Sequence, residues 1–296
     1  MASRITFLGT AGDSFTIGKQ LRASGGFVIQ QDDLQFQIDP GPGALVRANE
    51  HGISVRANTA VIVTKNHIHH CNDVNAIIDA MTYKGLDKKG VLVSTESLIL
   101  GTEKERPYLT EFHKSLLEKF IVLKSEQRVG IADVEIIALN TNLENSIGLK
   151  FITDDFTLCY SSDAKYSKEL AKQYEGCDIL ILNIRNPFEE KEKGHLNSED
   201  AVKIISKIKP KLAIITGFGI KMLKADPIYE CREIQKQTGI NILCAKDGLN
   251  ISPMSYSAKT SQKRLHKYDE ESHTIEEEFV QEDKQEKLDD FKEEEQ

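Results

Sequence analysis

Short apolar runs, each about the length of one strand, alternate along the chain with stretches of helical spacing. The run from Ala60 to Thr64 is apolar up to its last residue, and the predicted strand Cys177–Leu182 ends in four apolar residues. Such runs are typical of strands that are buried on both faces. In Asn72–Met81, by contrast, apolar residues recur at helical intervals. This alternation predicts a mixed α/β fold.

The remaining predicted elements follow the same pattern. A helix begins near Asn197 or Ser198, which are good N-cap residues, and ends before Pro210, and a further helix spans Pro227–Thr238. The other predicted strands are Arg4–Leu8, Gly26–Ile29, Leu34–Ile38, Val134–Leu139, Ile147–Ile152, Phe156–Tyr160, Lys211–Thr216, Asn241–Ala245 and Leu249–Ser252. Because both halves mix strands with helices, we expect two packed sheets with helices outside, an αβ/βα sandwich.

The charge of the chain separates a folded part from an acidic tail. Residues 267–296 carry a net charge of −10, whereas residues 1–266 carry +2. High charge with little apolar content is typical of disordered segments. We therefore predict one domain over residues 1–256 and a charged, disordered acidic tail over residues 257–296. The tail serves solubility, or it binds a basic protein partner.

Several classes of protein are excluded by composition. No apolar run approaches the roughly 18 to 20 residues that cross a bilayer, and the amino terminus leads directly into a strand pattern. The five cysteines are widely spread and form no Cys-x-x-Cys pair. These features predict a cytoplasmic protein with reduced cysteines and no membrane association.

Six separated segments resemble, in order, the motifs of the metallo-β-lactamase superfamily, in its archaeal-type branch related to ribonuclease Z and phosphodiesterases. They provide two glycine turns with their strands, a metal-bridging carboxylate, an additional histidine and the last ligand strand. The segments are 7–13, 25–27, 38–43, 160–163, 194–201 and 215–219. The resemblance covers residues 4–252 and implies a four-layer αβ/βα metallo-β-lactamase sandwich.

The resembled chemistry depends on seven metal ligands, four of them in a loop His-x-His-x-Asp-His that follows a buried strand. Two cations held in this way lower the pKa of a bound water and stabilise both the attacking and the leaving oxygen. In this chain the seven positions are occupied by Lys65, His67, His69, His70, Asn142, Asp163 and Gly217. Four of them no longer carry the usual ligand, namely Lys65, His69, Asn142 and Gly217.

The side chains that remain form a candidate site for a single metal ion. Three imidazoles and a carboxylate are suitable ligands for one zinc or another divalent metal, and they are supplied by His67, His69, His70 and Asp163. An inherited polar loop without metal is the other interpretation. The resemblance also makes His195 and Asp163 candidate catalytic residues, and we predict that His195 lines the same cleft, although a histidine at a helix start needs no substrate.

Lys65 is the nearest new cation that the sequence offers to Asp163. An ammonium group has no lone pair for a metal, and a carboxylate left without its cations is costly unless it is paired. We therefore predict that Lys65 neutralises Asp163 and that no dinuclear zinc is held, while binding of a phosphate by Lys65 is the alternative.

Three functions remain open on this evidence. The favoured one is a non-catalytic or chemically altered relative that acts as a binding or scaffold protein, without a cofactor and with a nucleic acid or phosphate-containing ligand in its cleft. The alternative is a divergent single-metal hydrolase of phosphodiester bonds. The third is an interaction module that uses the acidic tail. The resemblance also implies a homodimer, for which the sequence identifies no interface.

Overall fold

The strands pair into two sheets, and successive residues along a strand face two different apolar environments. The computed structural model describes residues 3–257, so the acidic tail lies outside the described residues except for Ser257. The first sheet begins with β1 (Arg4–Phe7), β2 (Phe27–Gln31), β3 (Leu34–Ile38), β4 (Ala60–Val63), β5 (Val91–Ser94) and β6 (Lys119–Val122). The second contains β7 (Arg128–Ile131), β8 (Val134–Asn140), β9 (Ile147–Ile152), β10 (Thr157–Tyr160), β11 (Ile179–Asn186), β12 (Leu196–Asn197), β13 (Leu212–Thr216) and β14 (Ile242–Cys244). Strand β15 (Asn250–Ile251) joins the first sheet beside β1.

Both sheets combine antiparallel and parallel pairing. The first has the order β15-β1-β2-β3-β4-β5-β6, with parallel pairs from β3 onward. The second has the order β14-β13-β11-β10-β9-β8-β7, with parallel pairs from β10 to β14, and β12 pairs with β11. In both sheets, therefore, parallel strands end at a common edge and direct the following loops to the same side.

The strand alternation separates an inner core from two outer cores. In β4, Ala60 and Ile62 face the core between the sheets, while Val61 and Val63 face helices on the outside. β11 alternates in the same way, with Leu180 and Leu182 packed against helices. Burial of apolar surface on both faces stabilises these strands. The result is the four-layer αβ/βα sandwich predicted from the sequence.

Ten α-helices occur in the described residues. In chain order they are α1 (Ser14–Gly18), α2 (Ala44–Glu50), α3 (Ile68–Cys71), α4 (Val74–Thr82), α5 (Glu96–Ile99), α6 (Glu111–Leu116), α7 (Lys168–Gln173), α8 (Ser198–Ile208), α9 (Ile220–Ala225) and α10 (Pro227–Thr238). Helix α8 begins after Asn197, whose side chain accepts a hydrogen bond from the backbone of Asp200. Helix α10 begins with Pro227 and is followed by Gly239 in the left-handed conformation. None of the helices in residues 3–257 has the length and apolar character needed to cross a membrane.

Backbone bridges join the two sheets at the edge where the parallel strands end. Ala11 pairs with Phe218, and Lys65 pairs with Ser146. The backbone N–H of Ile147 also donates to the carbonyl of Thr64 at 3.0 Å. The loops from both sheets are thereby held close together, and this edge carries the candidate site.

Candidate functional site

The candidate site contains residues that directly follow strands of both sheets. Asp39 follows β3, Lys65 lies just beyond β4, Asp163 follows β10, and Gly217 follows β13. In open α/β sheets, ligands bind at the carboxyl ends of the strands. The strand order therefore explains why residues far apart in sequence converge here.

Asp39 is the buried centre of a hydrogen-bond network. Its side chain is 3% exposed. Its Oδ1 accepts from the backbone N–H of Thr64 at 2.8 Å, and its Oδ2 accepts from the Tyr160 hydroxyl at 2.9 Å and lies 2.8 Å from His70 Nδ1. The ring of Tyr160 also packs edge-on against Phe27, with centroids 5.0 Å apart. Because buried carboxylates need partners, this network fixes the His70 ring.

Asp163 is paired with Lys65, as the sequence predicted. The Lys65 Nζ lies 3.0 Å from Asp163 Oδ2, and the two side chains are 24% and 14% exposed, respectively. Burial raises the pKa of the Asp163 carboxyl, but the charge on His70, together with hydrogen bonds from His195 and His70 and the charge on Lys65, lowers it well below its usual range. Asp163 is therefore a carboxylate whose charge is balanced by protein groups.

His70 lies between the two carboxylates. Its Nδ1 is 2.8 Å from Asp39 Oδ2 and its Nε2 is 3.3 Å from Asp163 Oδ2. Burial lowers the pKa of His70, but the charges of Asp39 and Asp163 outweigh burial and raise the pKa to about 10. At neutral pH both ring nitrogens therefore carry protons and donate. In this state His70 offers no lone pair to a metal.

His195 lines the same cleft, which confirms its predicted location. Its Nδ1 lies 3.6 Å from Asp163 Oδ1, and its Nε2 lies 2.7 Å from Nη1 of Arg185. Since a guanidinium group only donates hydrogen bonds, Nε2 accepts and the proton of a neutral His195 resides on Nδ1, facing Asp163. Arg185 also pairs through Nε with Glu192 at 3.3 Å.

His67 makes a contact within α3, and His69 contacts α1. The ring Nδ1 of His67 accepts from the backbone N–H of His69 at 3.3 Å, and Nε2 of His69 lies 3.2 Å from the Ser14 hydroxyl. Burial is the main cause that lowers the pKa of both rings, that of His69 to about 4. Within residues 3–257, no three His, Cys, Asp or Glu side chains are arranged to hold a metal ion. His67, His69, His70 and Asp163 nevertheless lie near one another, with the His67 and His69 ring centroids 4.5 Å apart and His70 Nε2 3.3 Å from Asp163 Oδ2, and each histidine has a hydrogen-bond partner of its own.

Two further positions at which the superfamily motif has a histidine, Asn142 and Gly217, provide no side chain to the site. Asn142, one of the four positions that no longer carry the usual ligand, is exposed, and its amide donates to the Lys165 carbonyl at 2.8 Å and to the Ser167 hydroxyl at 3.1 Å. Asn142 has a φ of +60°, and these hydrogen bonds occupy its side-chain amide. Gly217 has a φ of +72°, and a Cβ there would lie 3.0 Å from the Asn183 side chain.

The described fold and site agree with a known family. A model described as a β-lactamase superfamily domain matches residues 35–218, which is more than half of the chain. The chain belongs to the metallo-β-lactamase superfamily. An uncharacterized protein of Methanocaldococcus jannaschii is 33% identical over 255 residues, which cover 85% of this chain and 95% of that protein.

Solved structures show the same metallo-β-lactamase fold. The fold protein YhfI from Bacillus subtilis superposes with a TM-score of 0.71 at 17% identity, covering 85% of this chain and 99% of YhfI. A diphosphatase from the PhnP family gives 0.63 at 19% identity, with 84% and 97% covered. The short form of human tRNase Z gives 0.58 at 14% identity, with 84% and 98% covered. At these identities the likeness concerns the fold alone.

The metal centre of the superfamily's metal-dependent hydrolases does not fit the side chains of this member. Lys65 places an ammonium group 3.0 Å from the carboxylate that would bridge two metals. Gly217 has no donor, and Asn142 is hydrogen-bonded elsewhere. The donor set therefore argues against a dinuclear site, on the chemistry of its members.

Sequence reasoning missed four residues of this site. Asp39 was noted only as part of a turn, Tyr160 only as part of a motif, and Asn183 and Arg185 not at all. A signal for Arg185 was present, because it is the one charged residue within the predominantly apolar strand β11. Asp39 was recognisable as an acidic residue directly after the predicted strand Leu34–Ile38.

A small cavity lies on the Gly217 side of Asp163. Its volume is about 40 Å³, which is room for roughly three water molecules. Its lining includes His69, His70 and the carboxylates of Asp39 and Asp163, together with Asn183, Arg185 and glycines of three loops. Lys65, His67 and His195 do not line it. The cavity thus combines one guanidinium group with close backbone walls.

Proposed function

We propose that this metallo-β-lactamase superfamily member is a non-catalytic binding protein whose cleft takes a phosphate-containing ligand. The observation that carries the proposal is the 3.0 Å ion pair between Lys65 and Asp163. The Oδ2 atom of Asp163 is thus occupied by two proton donors, the Lys65 ammonium group and His70. Binding of two cations would require these contacts to be broken.

The charges around the cleft support an anionic ligand. Lys65, Arg185 and protonated His70 provide three positive charges, and Asp39, Asp163 and Glu192 provide three negative charges. Arg185 and His70 line the cavity together with Asp39 and Asp163, whereas Glu192 does not, and cationic side chains of this kind attract phosphate groups. Two structural neighbours are named a diphosphatase and a tRNase, which is consistent with a phosphate-binding cleft.

Binding and turnover measured on one preparation test this proposal. The full chain is titrated with inorganic phosphate and AMP by calorimetry, and it is separately incubated with a chromogenic phosphodiester and added zinc or manganese. We expect saturable binding and no turnover above that of the Asp163→Ala variant. Metal-dependent turnover that this variant loses would overturn the non-catalytic proposal, and failure of every phosphate probe to bind would overturn the ligand class.

A divergent single-metal hydrolase of phosphodiester bonds is the second candidate. It is favoured by the low pKa of His69 and the lowered pKa of His67, because neutral rings retain lone pairs near Asp163. This function predicts one bound metal per chain and turnover in the assay above. Both would be lost in a variant carrying His69→Ala and His70→Ala together, whereas His113→Ala, on α6, is the matched control.

Two further proposals concern partners. The acidic tail would recruit a basic protein, and this is tested by comparing binding of a cationic protein to the full chain and to residues 1–256. Tail-independent binding would contradict it. A homodimer is tested by light scattering, and a mass of one chain at micromolar concentration would contradict it.

A further inference from the structure

Arg185 is placed to receive an anion in the cavity. It projects from β11 between two buried neighbours, Ile184 and Asn186, and it lines the cavity. Its Nη1 contacts His195 and its Nε contacts Glu192, while its Nη2 has no hydrogen-bond partner within residues 3–257. A guanidinium group presents its donors in a fixed fork that matches phosphate oxygens. Arg185 thus retains donor capacity for a ligand.

The cavity walls permit only the end of a ligand to enter. A Cβ on Gly12, which lines the cavity, would lie 1.9 Å from the Gly217 carbonyl oxygen, so the backbones of these two loops are in direct contact. The volume of about 40 Å³ holds roughly three water molecules, which is comparable to the three terminal oxygens of a phosphoryl group.

Two exposed apolar side chains flank the contact between α1 and α3 beside the cavity. This contact joins the Ser14 hydroxyl to His69, which lines the cavity. The next residue in α1, Phe15, is 66% exposed, and Ile68, which precedes His69, is 52% exposed. Helix α1 is anchored without Phe15, because Thr16 is buried and its backbone N–H donates to Asp13. The Phe15 ring is therefore free to stack on a planar ligand group.

Glu192 competes with an incoming anion for Arg185. Its Oε2 lies 3.3 Å from Arg185 Nε, and its side chain is 44% exposed. An exposed carboxylate at this distance balances the guanidinium charge while the site is free and repels an anion that approaches. Removal of this charge should therefore tighten anion binding, an effect that a general loss of folding cannot imitate.

We propose that the site recognises a nucleotide end, with a terminal phosphoryl group on Arg185 in the cavity and the base stacked on Phe15. The inference rests on the proposed phosphate-binding function and adds its ligand class. A free mononucleotide and the 5′-phosphorylated end of a nucleic acid share this chemistry. An internal phosphodiester lacks a terminal phosphoryl group, because its chain continues on both sides of the phosphorus.

The test measures dissociation constants of the full chain by calorimetry for five probes. They are AMP, ribose 5-phosphate, the dinucleotide ApA without a terminal phosphate, and a short oligonucleotide with and without its 5′-phosphate. The variants are Phe15→Ala, Arg185→Gln and Glu192→Gln. The matched controls are Phe120→Ala and Arg128→Gln, which alter a second exposed aromatic and a second paired arginine on β6 and β7. Urea midpoints verify that each variant is folded.

We expect AMP to bind at least about tenfold more tightly than ribose 5-phosphate, which is a difference in binding free energy of about 1.4 kcal/mol or more. Phe15→Ala should abolish that difference and leave ribose 5-phosphate unchanged. Arg185→Gln should weaken both at least about tenfold, and Glu192→Gln should tighten both. Equal affinity for AMP and the 5′-phosphorylated oligonucleotide would show that the site accepts both free mononucleotides and nucleic-acid ends. A preference for one of these probes would identify the corresponding source as the ligand.

The outcomes separate this inference from the proposed function. ApA binding as tightly as AMP, or an unchanged AMP preference in Phe15→Ala, would overturn the nucleotide end and leave a phosphate-binding cleft in place. Unchanged phosphate affinity in both Arg185→Gln and Glu192→Gln would show that Arg185 does not bind the phosphoryl group. If no phosphate probe binds the wild-type chain, the proposed function fails and the inference fails with it.

Discussion

Removal of the Lys65 ammonium group should measurably destabilise the protein. At the 3.0 Å separation from Asp163, the direct attraction amounts to about 5 kcal/mol at an effective dielectric constant of about 20. Desolvation offsets much of it, and Asp163 retains His70 at 3.3 Å and His195 at 3.6 Å. Exposed pairs contribute about 0–1 kcal/mol, whereas breaking fully buried pairs costs about 3–5 kcal/mol. With side chains 24% and 14% exposed, Lys65→Met should cost about 2 kcal/mol.

A double-mutant cycle isolates the pair from other effects of the substitutions. Urea unfolding is measured for Lys65→Met, Asp163→Asn and the double variant. The double variant should be less destabilised than the sum of the singles by at least about 1 kcal/mol. Lys104→Met, in a pair whose side chains are 76% and 73% exposed, is the control and should change stability by less than about 0.5 kcal/mol. Additive single effects in the Lys65 cycle would refute the reasoning.

Three further predictions concern residues in and around the site. The pKa of His70 is raised to about 10 in the folded protein, so its stabilising contribution is complete below the unfolded pKa of about 6.5 and is lost as pH rises toward 10. The urea midpoint of His70→Gln should therefore fall less over this pH range than that of the wild type. Parallel curves for the two proteins would contradict the raised pKa of His70. Gly217→Ala should cost about 1–3 kcal/mol, because φ is +72° and the Cβ meets Asn183; an unchanged urea midpoint would contradict this. Tyr160→Phe should cost about 1–3 kcal/mol by removing a donor to Asp39, and a stability equal to wild type would show that water replaces it.

The fold was largely predictable because its central strands carry strong patterns. The predicted strands at Leu34–Ile38 and Ile147–Ile152 and the helix Pro227–Thr238 have the observed bounds. Missed elements are short or weakly patterned, such as β6, whose residues are exposed or half-buried because it lies at the edge of its sheet. Helix α3 has four residues and depends on the cap by His67, which no periodicity reveals.

The site was predictable where a motif fixes a strand end and not where loop conformation decides. Lys65 and Asp163 lie within three residues of the ends of strands that the pattern located, so their contact followed from strand order. Asn142 lies in a loop with positive φ, and its orientation depends on hydrogen bonds to the Lys165 loop. Arg185 was missed because sequence motifs drew attention to histidines, whereas its role depends on the cavity beside Gly217.

The metal content of the isolated protein tests the central claim most directly. The full chain is purified without chelator from zinc-supplemented cells, dialysed against metal-free buffer and analysed by plasma mass spectrometry, with urea midpoints recorded with and without chelator. If Lys65, His70 and Arg185 supply the positive charge of the site, we predict well below one equivalent of zinc, manganese or iron per chain and equal midpoints. One equivalent that is lost on mutation of His69 and His70 would support the single-metal hydrolase. Two tightly bound equivalents would contradict the account.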